Sequence, residues 1–481
     1  MQVRHVDVAV IGGGTAGLAA WREATQAGAE ALLIEGGPYG TTCARVGCMP
    51  SKLLIAAAEA ARAVRKAPAF GIQSSLPQID GKAVMARVRS ERDRFVGFVL
   101  EGVEAIPAEL RIQGYARFLS PTRLQVGDDL QIEAQAIVIA TGSSPWVPPL
   151  LQNLGNRLID NEALFNWEDL PESVAVFGAG VVGLELGQAL HQLGVRVHLF
   201  GVRGAVGALT DPEIKAEAQA LFAAEFPFQT DARVERVERS ETGVRISYLN
   251  TQDETISESF DYVLAATGRW PNLSRLGIEV LGLPLNRLGL PEFDPHTLQI
   301  GRLPIFLAGD VNNDRPLLHE AVDEGRIAGA NAAHWPQLQA GQRRSPLSVI
   351  FTHPQIAMIG QNYSQLDLAC SAIGEVSFKR QGRSRVMLEN EGRLRIYADH
   401  RSRRLLGAEM IGPRAEHLAH LLAWAHQQQL TIDQLLEMPF YHPVIEEGVR
   451  TALQETQKAL NLGPARGKCD CGLPEPELML G

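Results

Sequence analysis

Two cysteines, Cys43 and Cys48, stand five positions apart in a short segment rich in glycine and threonine. Such a pair can form a redox-active disulfide, supply half of a metal site or be two structural thiols. Pro50 follows at the start of the alanine-rich helical segment 53–64, so Cys48 lies near a helix N-terminus, whose partial positive charge lowers a thiol pKa. No second Cys/His pair at metal spacing lies nearby, which argues against zinc. The segment therefore predicts thiol–disulfide redox chemistry and no metal site.

A second pair, Cys469 and Cys471, lies in a tail, 463–481, that is rich in glycine, proline and glutamate. A disulfide that spans one residue is strained and easily reduced, so this pair could relay electrons or hold a soft metal ion. The alternative is that neither tail cysteine takes part in redox chemistry or metal binding, because a single pair of cysteines is weak evidence for a metal site. Cys370 has no predicted role.

A complete βαβ unit precedes the redox pair. A strand, a Gly-x-Gly-x-x-Gly turn and a helix occupy 7–27, and a second strand ends on Glu35. Gly12 permits the tight turn, Gly14 lets a pyrophosphate approach the backbone, and Gly17 lets helix pack on strand. Glu35 can accept hydrogen bonds from a ribose. This spacing predicts a dinucleotide site.

The same pattern recurs over 173–200, with glycines at Gly178, Gly180 and Gly183. The acid expected after the second strand is absent, because Gly201 stands there and Arg203 follows. An acid at this place normally binds the adenosine ribose and repels a 2′-phosphate. A second dinucleotide site is predicted, with the choice between NAD and NADP left open.

Two similar phrases, 137–143 and 263–269, each end in an Ala-Thr-Gly turn. Each predicts a strand that closes one nucleotide domain. A further strand is predicted over 305–310 and ends on Asp310, and a helix is predicted over 317–332.

A histidine near the C-terminus could serve as the base for thiol–disulfide exchange, because imidazole titrates in the right range. His442 and Glu447 lie in 440–447, which is predicted to open a last helix running to Leu460. Glu447 could orient the imidazole ring. A lone histidine before proline is more often a loop residue.

The bulk composition is that of a globular protein of several domains. The chain has 481 residues, 21% of them charged, and a net charge of -10 without a basic run. These values argue against nucleic acid or an anionic membrane as a partner. The apolar stretch 6–20 contains Asp7 and glycines, so we interpret it as a strand and turn, not a targeting peptide, and we expect a cytoplasmic location.

Together these motifs resemble the class I pyridine nucleotide–disulfide oxidoreductases, such as dihydrolipoyl dehydrogenase, mercuric reductase and glutathione reductase. The resemblance covers about residues 5–460. It implies an α/β fold with two Rossmann-like domains, for FAD and NAD(P), and a C-terminal α+β dimerisation domain. The expected boundaries are 1–150 and 271–345 for the FAD-binding parts, 151–270 for the NAD(P)-binding domain, 346–462 for the dimerisation domain, and 463–481 for the tail.

The resemblance also implies roles for individual residues. The catalytic set would be Cys43, Cys48, His442, Glu447 and the Lys52–Glu185 ion pair beside flavin N5. The FAD site would comprise Gly12, Gly14, Gly17, Glu35, Thr42, Lys52, Gly114, Thr141, Gly142, Ser143, Asp310, Leu317, Leu318 and His319. The NAD(P) site would comprise Gly178, Gly180, Gly183, Glu185, Arg203, Gly268 and Arg269. His442 and Glu447 would act on the cysteine pair of the other subunit, which makes a homodimer necessary.

The substrate expectation depends on the segment after Cys48. Pro50-Ser51-Lys52 resembles dihydrolipoyl dehydrogenase and mercuric reductase, and no heavy-metal-binding domain precedes residue 1, so a lipoyl-bearing protein or a small disulfide is the expected partner. The departures from the dihydrolipoyl dehydrogenase pattern are Thr41, Ala44-Arg45, Gly201, Glu320 and Phe440-Tyr441 before His442. They indicate a divergent branch. One alternative is an NADPH-dependent reductase of another disulfide or of mercuric ion. A second is a soluble transhydrogenase, but such an enzyme would lack the cysteine pair. A third is a non-catalytic nucleotide sensor.

Overall fold

The computed structural model describes residues 2–463, which are organised around three large sheets. The strands are β1 (Gln2–Ile11), β2 (Ala31–Glu35), β3 (Arg111–Gln113), β4 (Ala116–Ser120), β5 (Arg123–Val126), β6 (Leu130–Ile139), β7 (Ser143–Pro145), β8 (Leu158–Ile159), β9 (Ser173–Phe177), β10 (Arg196–Phe200), β11 (Phe228–Gln229), β12 (Arg233–Arg239), β13 (Val244–Leu249), β14 (Thr255–Phe260), β15 (Tyr262–Ala265), β16 (Arg269–Pro271), β17 (Ile305–Leu307), β18 (Leu347–Ile350), β19 (Gln355–Gly360), β20 (Ser371–Ser377), β21 (Arg393–Asp399) and β22 (Leu405–Gly412). The α-helices are α1 (Thr15–Gln26), α2 (Thr42–Val46), α3 (Cys48–Lys66), α4 (Gly81–Glu104), α5 (Asn161–Leu164), α6 (Val181–Gln192), α7 (Pro212–Glu225), α8 (Leu318–Ala333), α9 (Gly382–Val386), α10 (Ala415–Gln427), α11 (Ile432–Leu436) and α12 (Glu447–Leu462).

The first sheet carries the first glycine motif. Its strands run in the order β3-β2-β1-β6-β5-β4, and β17 pairs with β6. β1 is parallel to both β2 and β6, and Val8, Val10 and Ile34 are fully buried. Central parallel strands are covered on both faces, which explains why these strands are apolar at consecutive positions.

Helix α8 returns from late in the chain to pack closely on α1. A Cβ at Gly325 would lie 2.3 Å from the Ala16 carbonyl oxygen, and one at Gly329 would lie 2.3 Å from the Ala20 carbonyl oxygen. Only glycine permits this approach. The contact sets where the N-terminus of α8 meets the first nucleotide motif.

The second sheet carries the second glycine motif. It has the order β11-β10-β9-β15-β8, and all its pairs are parallel. A separate antiparallel meander, β12-β13-β14, packs beside it, and Phe200, Tyr248 and Phe260 share one apolar cluster. No pattern in the sequence indicated this meander.

The third sheet is antiparallel, in the order β18-β19-β22-β21-β20. Helix α12 lies so close to β20 that a Cβ at Gly374 would be 2.2 Å from the Thr456 backbone nitrogen. Glu409 of β22 joins this unit to the second one, since its Oε2 accepts hydrogen bonds from the backbone N–H groups of Thr210 at 2.8 Å and Asp211 at 3.0 Å.

The predicted fold class is confirmed, with three local differences. The last helix begins at Glu447 and not near Phe440, because a residue before proline, here His442, is disfavoured in a helix. β1 begins at Gln2, where it already pairs with Leu130 of β6. Helix α2 forms between the cysteines, where no helix was predicted. Across residues 2–463, none of the helices combines the length and apolar character needed to cross a membrane.

Candidate active site

The two predicted redox cysteines lie on consecutive helices that meet at Gly47. Cys43 is in α2, and Cys48 is the first residue of α3. Both are free thiols; Cys43 is half-buried and Cys48 is exposed. Gly47 has no side chain to cap α3, so the amides of its first turn are available to stabilise a thiolate at Cys48.

The two thiols have opposite acidities. A hydrogen bond from Cys43 and the positive charge of Lys52 lower the pKa of Cys48 to about 7. The same hydrogen bond, together with burial, raises the pKa of Cys43. Near neutral pH the reduced pair can therefore hold its remaining proton on Cys43 while Cys48 is a thiolate.

One turn after Cys48, Lys52 forms an ion pair that joins the two nucleotide units. Its Nζ lies 2.7 Å from Oε2 of Glu185 on α6. The other oxygen of Glu185 accepts a hydrogen bond from the backbone N–H of Phe351 at 2.9 Å, and Lys52 Nζ lies 4.5 Å from the centroid of the Phe351 ring. Glu185 is buried, so this pair is held more firmly than a surface ion pair.

Sequence reasoning missed Phe351. It follows strand β18, about 300 positions after Lys52, and no local motif marks it. Only the packing of the third unit against α3 and α6 brings its ring and its N–H to the ion pair.

His442 and Glu447 form the predicted dyad. His442 Nδ1 lies 3.0 Å from Glu447 Oε2, and the Val444 N–H donates to the same oxygen at 3.3 Å. The hydrogen bond with His442 lowers the pKa of Glu447, and Arg450 acts in the same direction. The His442 side chain is 80% exposed, and within one described chain no hydrogen bond or ion pair joins it to either cysteine. The imidazole is thus oriented toward the outside of its own chain.

The first glycine motif has the shape of a pyrophosphate cradle. Gly12 has a φ of +111°, and a Cβ there would lie 2.3 Å from the Ala140 carbonyl oxygen. A Cβ on Gly17 would lie 1.8 Å from the Gly12 carbonyl oxygen, whereas one on Gly14 would meet nothing within 4 Å. Gly14 precedes α1 without a side-chain cap, so open space lies beside the free amides of a helix N-terminus. These features fit a bound dinucleotide.

Glu35 lies directly over this turn. Its Oε2 accepts a hydrogen bond from the Gly13 N–H at 2.6 Å, and its Oε1 accepts one from the Gly37 N–H at 2.6 Å. A carboxylate has about four acceptor sites, so roughly two remain for ribose hydroxyls. The backbone N–H of Gly114 donates to the Glu35 carbonyl oxygen at 2.8 Å, which places Gly114 at the same edge.

The two Ala-Thr-Gly turns and Asp310 are connected through Ser143. Arg269 donates to Ser143 from Nε to Oγ at 2.8 Å, and Ser143 Oγ donates to Asp310 Oδ2 at 3.3 Å. Gly142 and Gly268 have φ values of +68° and +109°. The structure therefore brings residues from three distant segments to one edge of the first sheet. Thr141 is nearby, and its Oγ1 donates to the Asn272 carbonyl oxygen at 2.8 Å.

The N-terminus of α8 meets this edge as well. Leu317 precedes the helix, Leu318 is its exposed first residue, and His319 follows. His319 Nε2 is buried and has no hydrogen-bond partner among the described residues. An unpaired buried nitrogen beside a helix N-terminus fits an anionic or carbonyl-bearing ring system such as flavin.

The second glycine motif repeats the first, but its strand ends differently. A Cβ at Gly178 would lie 2.2 Å from the Ala266 carbonyl oxygen, and one at Gly183 would lie 1.9 Å from the Gly178 carbonyl oxygen, whereas Gly180 is open. At Gly201 a Cβ would lie 3.1 Å from atoms of Ala179, Gln229 and Thr230.

Arg203 follows Gly201 in a loop with a φ of +57°, and its N–H donates to Asp231 Oδ1 at 2.9 Å. Asp231 is therefore an acid near the end of β10 that the sequence pattern did not indicate, because it comes from the end of the neighbouring strand β11.

No group of three or more His, Cys, Asp and Glu side chains that could hold a metal ion occurs in residues 2–463. Cys469 and Cys471, considered above as a relay, a soft-metal site or two uninvolved cysteines, lie outside the described residues.

Comparison with known families covers almost the whole chain. Residues 6–325 match the family described as pyridine nucleotide-disulphide oxidoreductase, and residues 347–453 match the dimerisation domain of the same family.

The similarity to individual proteins agrees with this family match. The chain is 32% identical over 469 residues to dihydrolipoyl dehydrogenase 3 of Pseudomonas aeruginosa, covering 93% of this chain and 97% of that protein. It is 30% identical over 478 residues to mercuric reductase of Shigella flexneri, covering 94% of this chain and 81% of that protein. The solved structure of LpdA from Mycobacterium tuberculosis has a TM-score of 0.80 at 25% identity, covering 93% of this chain and 99% of that one.

Proposed function

Because the chain belongs to the pyridine nucleotide-disulphide oxidoreductase family, we propose that it oxidises dihydrolipoyl groups with NAD as the electron acceptor. FAD and a nicotinamide nucleotide are the cofactors of this family. The observation that carries the proposal is the placement of the two cysteines on consecutive helices, with Cys48 at the start of α3 and one turn before the Lys52–Glu185 ion pair. The pKa of Cys48, about 7, suits a thiolate leaving group there.

We propose that the working unit is a homodimer. The match of residues 347–453 to the family's dimerisation domain supports this. The exposed side chain of His442, which has no contact with the cysteines of its own chain, is suited to act on Cys43 of a second chain.

The reaction begins with Cys43 and Cys48 joined as a disulfide. His442 of the partner subunit removes a proton from one substrate thiol, and the resulting thiolate attacks the sulfur of Cys43. The Cys43–Cys48 bond breaks, a mixed disulfide forms between substrate and Cys43, and Cys48 leaves as a thiolate. Lys52 and the helix N-terminus stabilise that negative charge.

The second substrate thiol then attacks its neighbouring sulfur in the mixed disulfide. The bond between the substrate sulfur and Cys43 breaks, and the lipoyl disulfide leaves. Cys43 takes the proton that the imidazolium holds, and the regenerated imidazole accepts the proton of the second substrate thiol. The substrate has lost two electrons and two protons, and the cysteine pair has gained two electrons. Bound FAD supplies the route by which this electron pair reaches NAD as hydride.

Glu447 keeps the imidazole in place throughout. Its carboxylate contacts Nδ1, so Nε2 is left to face the substrate, and its negative charge stabilises the imidazolium that forms. Lys52, fixed by Glu185 and Phe351, keeps its charge near Cys48.

The test is NADH formation from NAD and dihydrolipoamide. Wild type should turn over, and Cys48→Ser should retain FAD but lose this activity. A flavin-containing wild type that forms no NADH from dihydrolipoamide would contradict the proposed substrate.

Gly201 favours a second candidate, the NADPH-dependent reduction of another disulfide or of mercuric ion. Gly201 carries no carboxylate to repel a 2′-phosphate, and the nearby carboxylate of Asp231 accepts a hydrogen bond from the Arg203 N–H. NADPH oxidation with lipoamide, with other small disulfides and with mercuric ion separates the candidates. Faster oxidation of NADPH than of NADH, with no dihydrolipoamide activity, would favour this second function.

A further inference from the structure

A cavity with basic walls lies at the C-terminal end of α3, the helix that begins with Cys48. It has a volume of about 400 Å³ and opens between the last turn of α3 and the segment 383–389. A water molecule occupies roughly 30 Å³ of liquid volume, so the cavity has room for a small organic molecule. It does not include either nucleotide motif.

The charges that line the cavity do not balance. Glu389 is shared by two cations, since Oε1 lies 3.5 Å from Arg62 Nη2 and 3.6 Å from Lys66 Nζ. Arg383 also lines the cavity and has no ion-pair partner among residues 2–463. Among the residues that line the cavity, three cations therefore face one carboxylate, and Glu391 outside the lining also attracts Lys66. Lys66 has a lowered pKa, because burial and the charge of Arg62 outweigh the attraction of Glu389 and Glu391.

Arg62 is held in place from behind. Its Nη1 lies 2.6 Å from Nε2 of His353. Burial and the charges of Arg62, Lys66 and Arg414 lower the pKa of His353 to about 3, so this histidine is neutral and can accept the hydrogen bond. Arg62 Nε is buried and has no hydrogen-bond partner among the described residues. The guanidinium is thus fixed while part of its donor capacity is unused.

The remaining walls are apolar. Phe70 and Val386 line the cavity and are 51% and 62% exposed. An unpaired guanidinium and a lysine bind phosphate oxygens well, and the apolar side chains offer contact to a carbon skeleton. We propose that this cavity binds a small organic phosphate, with its phosphate group between Lys66 and Arg383 and its carbon skeleton against Phe70.

Calorimetric titration with phenyl phosphate tests the proposal. The FAD-loaded protein is used with saturating NAD, so that neither nucleotide motif is free to take the probe. Wild type should bind one phenyl phosphate per chain, and more tightly than inorganic phosphate. Arg383→Gln and Lys66→Gln should each weaken binding roughly tenfold, because each removes a charge-assisted hydrogen bond.

Arg385→Gln is the matched control. Arg385 lies on the same short helix, is exposed and does not line the cavity, so its loss changes net charge equally but should leave binding as in wild type. Flavin content and the thermal unfolding midpoint establish that each variant is folded. No binding to wild type, equal affinity for inorganic phosphate, or the same affinity in Arg383→Gln and Arg385→Gln would overturn the proposal.

Discussion

The two nucleotide motifs share one geometry and differ at one strand end. A Cβ at Gly12 or at Gly178 would lie 2.3 or 2.2 Å from a carbonyl oxygen, and Gly14 and Gly180 are both open. The first motif ends on Glu35, whose carboxylate is fixed by two backbone N–H groups. The second ends on Gly201, where a Cβ would be within 3.1 Å of three atoms.

A glycine motif meets two separate requirements, close packing of the helix on the strand and open space for a ligand. Gly17 and Gly183 are needed for the helix to pack on the strand, and Gly14 and Gly180 leave room for a ligand. The position at the end of the second strand is Glu35 in the first motif and Gly201, directly after β10, in the second. It serves neither requirement, so it can differ between the two sites.

The largest effect is expected at Gly183. Gly183→Ala would place a Cβ 1.9 Å from the Gly178 carbonyl oxygen, which should cost about 3 kcal/mol in the free energy of unfolding. Gly187→Ala is the matched control on the same helix, because its Cβ would meet Val176 at an ordinary 3.6 Å. Denaturant unfolding compares the two, and equal stability would show that the close contact is not required.

A selective loss of ligand affinity is expected at the two open glycines. Both have φ near -79° or -78°, so alanine keeps the backbone, but its methyl group would occupy the approach of the pyrophosphate. Gly14→Ala should lower FAD retention, and Gly180→Ala should raise the KM for the nicotinamide nucleotide, each by on the order of tenfold or more. Flavin absorbance measures FAD retention, and steady-state kinetics measure the KM. Loss of FAD in Gly180→Ala would contradict the assignment.

At the divergent strand end, we expect a smaller change in nucleotide preference. Arg203→Ala should lower kcat/KM for NADPH by roughly tenfold and leave that for NADH unchanged, if the guanidinium contacts a 2′-phosphate. The two rates, measured with the same disulfide, give the ratio directly. An equal fall with both nucleotides would exclude that contact.

A shift in pH dependence is expected at Lys52, which connects the two units through Glu185. Its charge helps to lower the pKa of Cys48 to about 7, so the thiolate fraction rises as pH increases through that value. Lys52→Met should move the transition to higher pH by about one unit. Alkylation of the reduced enzyme by iodoacetamide across pH measures it. Lys66→Gln, at the far end of α3, should leave the transition unchanged.

The sequence predicted the parts of the fold that local chemistry encodes. Glycine spacing identified both βαβ units, and the two Ala-Thr-Gly phrases identified the strands β6 and β15. It did not predict Phe351 beside Lys52, Asp231 beside Arg203 or the basic cavity at Lys66, because each depends on contacts between segments far apart in the chain. The predicted start of α12 was wrong because His442 precedes a proline, and such a residue is disfavoured in a helix.

The most direct test of the account is an anaerobic reaction of oxidised enzyme with dihydrolipoamide in the absence of NAD. The account predicts rapid reduction with a long-wavelength absorbance from the Cys48 thiolate next to flavin, and no such reaction in Cys48→Ser. Wild-type enzyme that keeps its oxidised flavin spectrum in excess dihydrolipoamide, or a Cys48→Ser variant that reacts as fast as wild type, would contradict it.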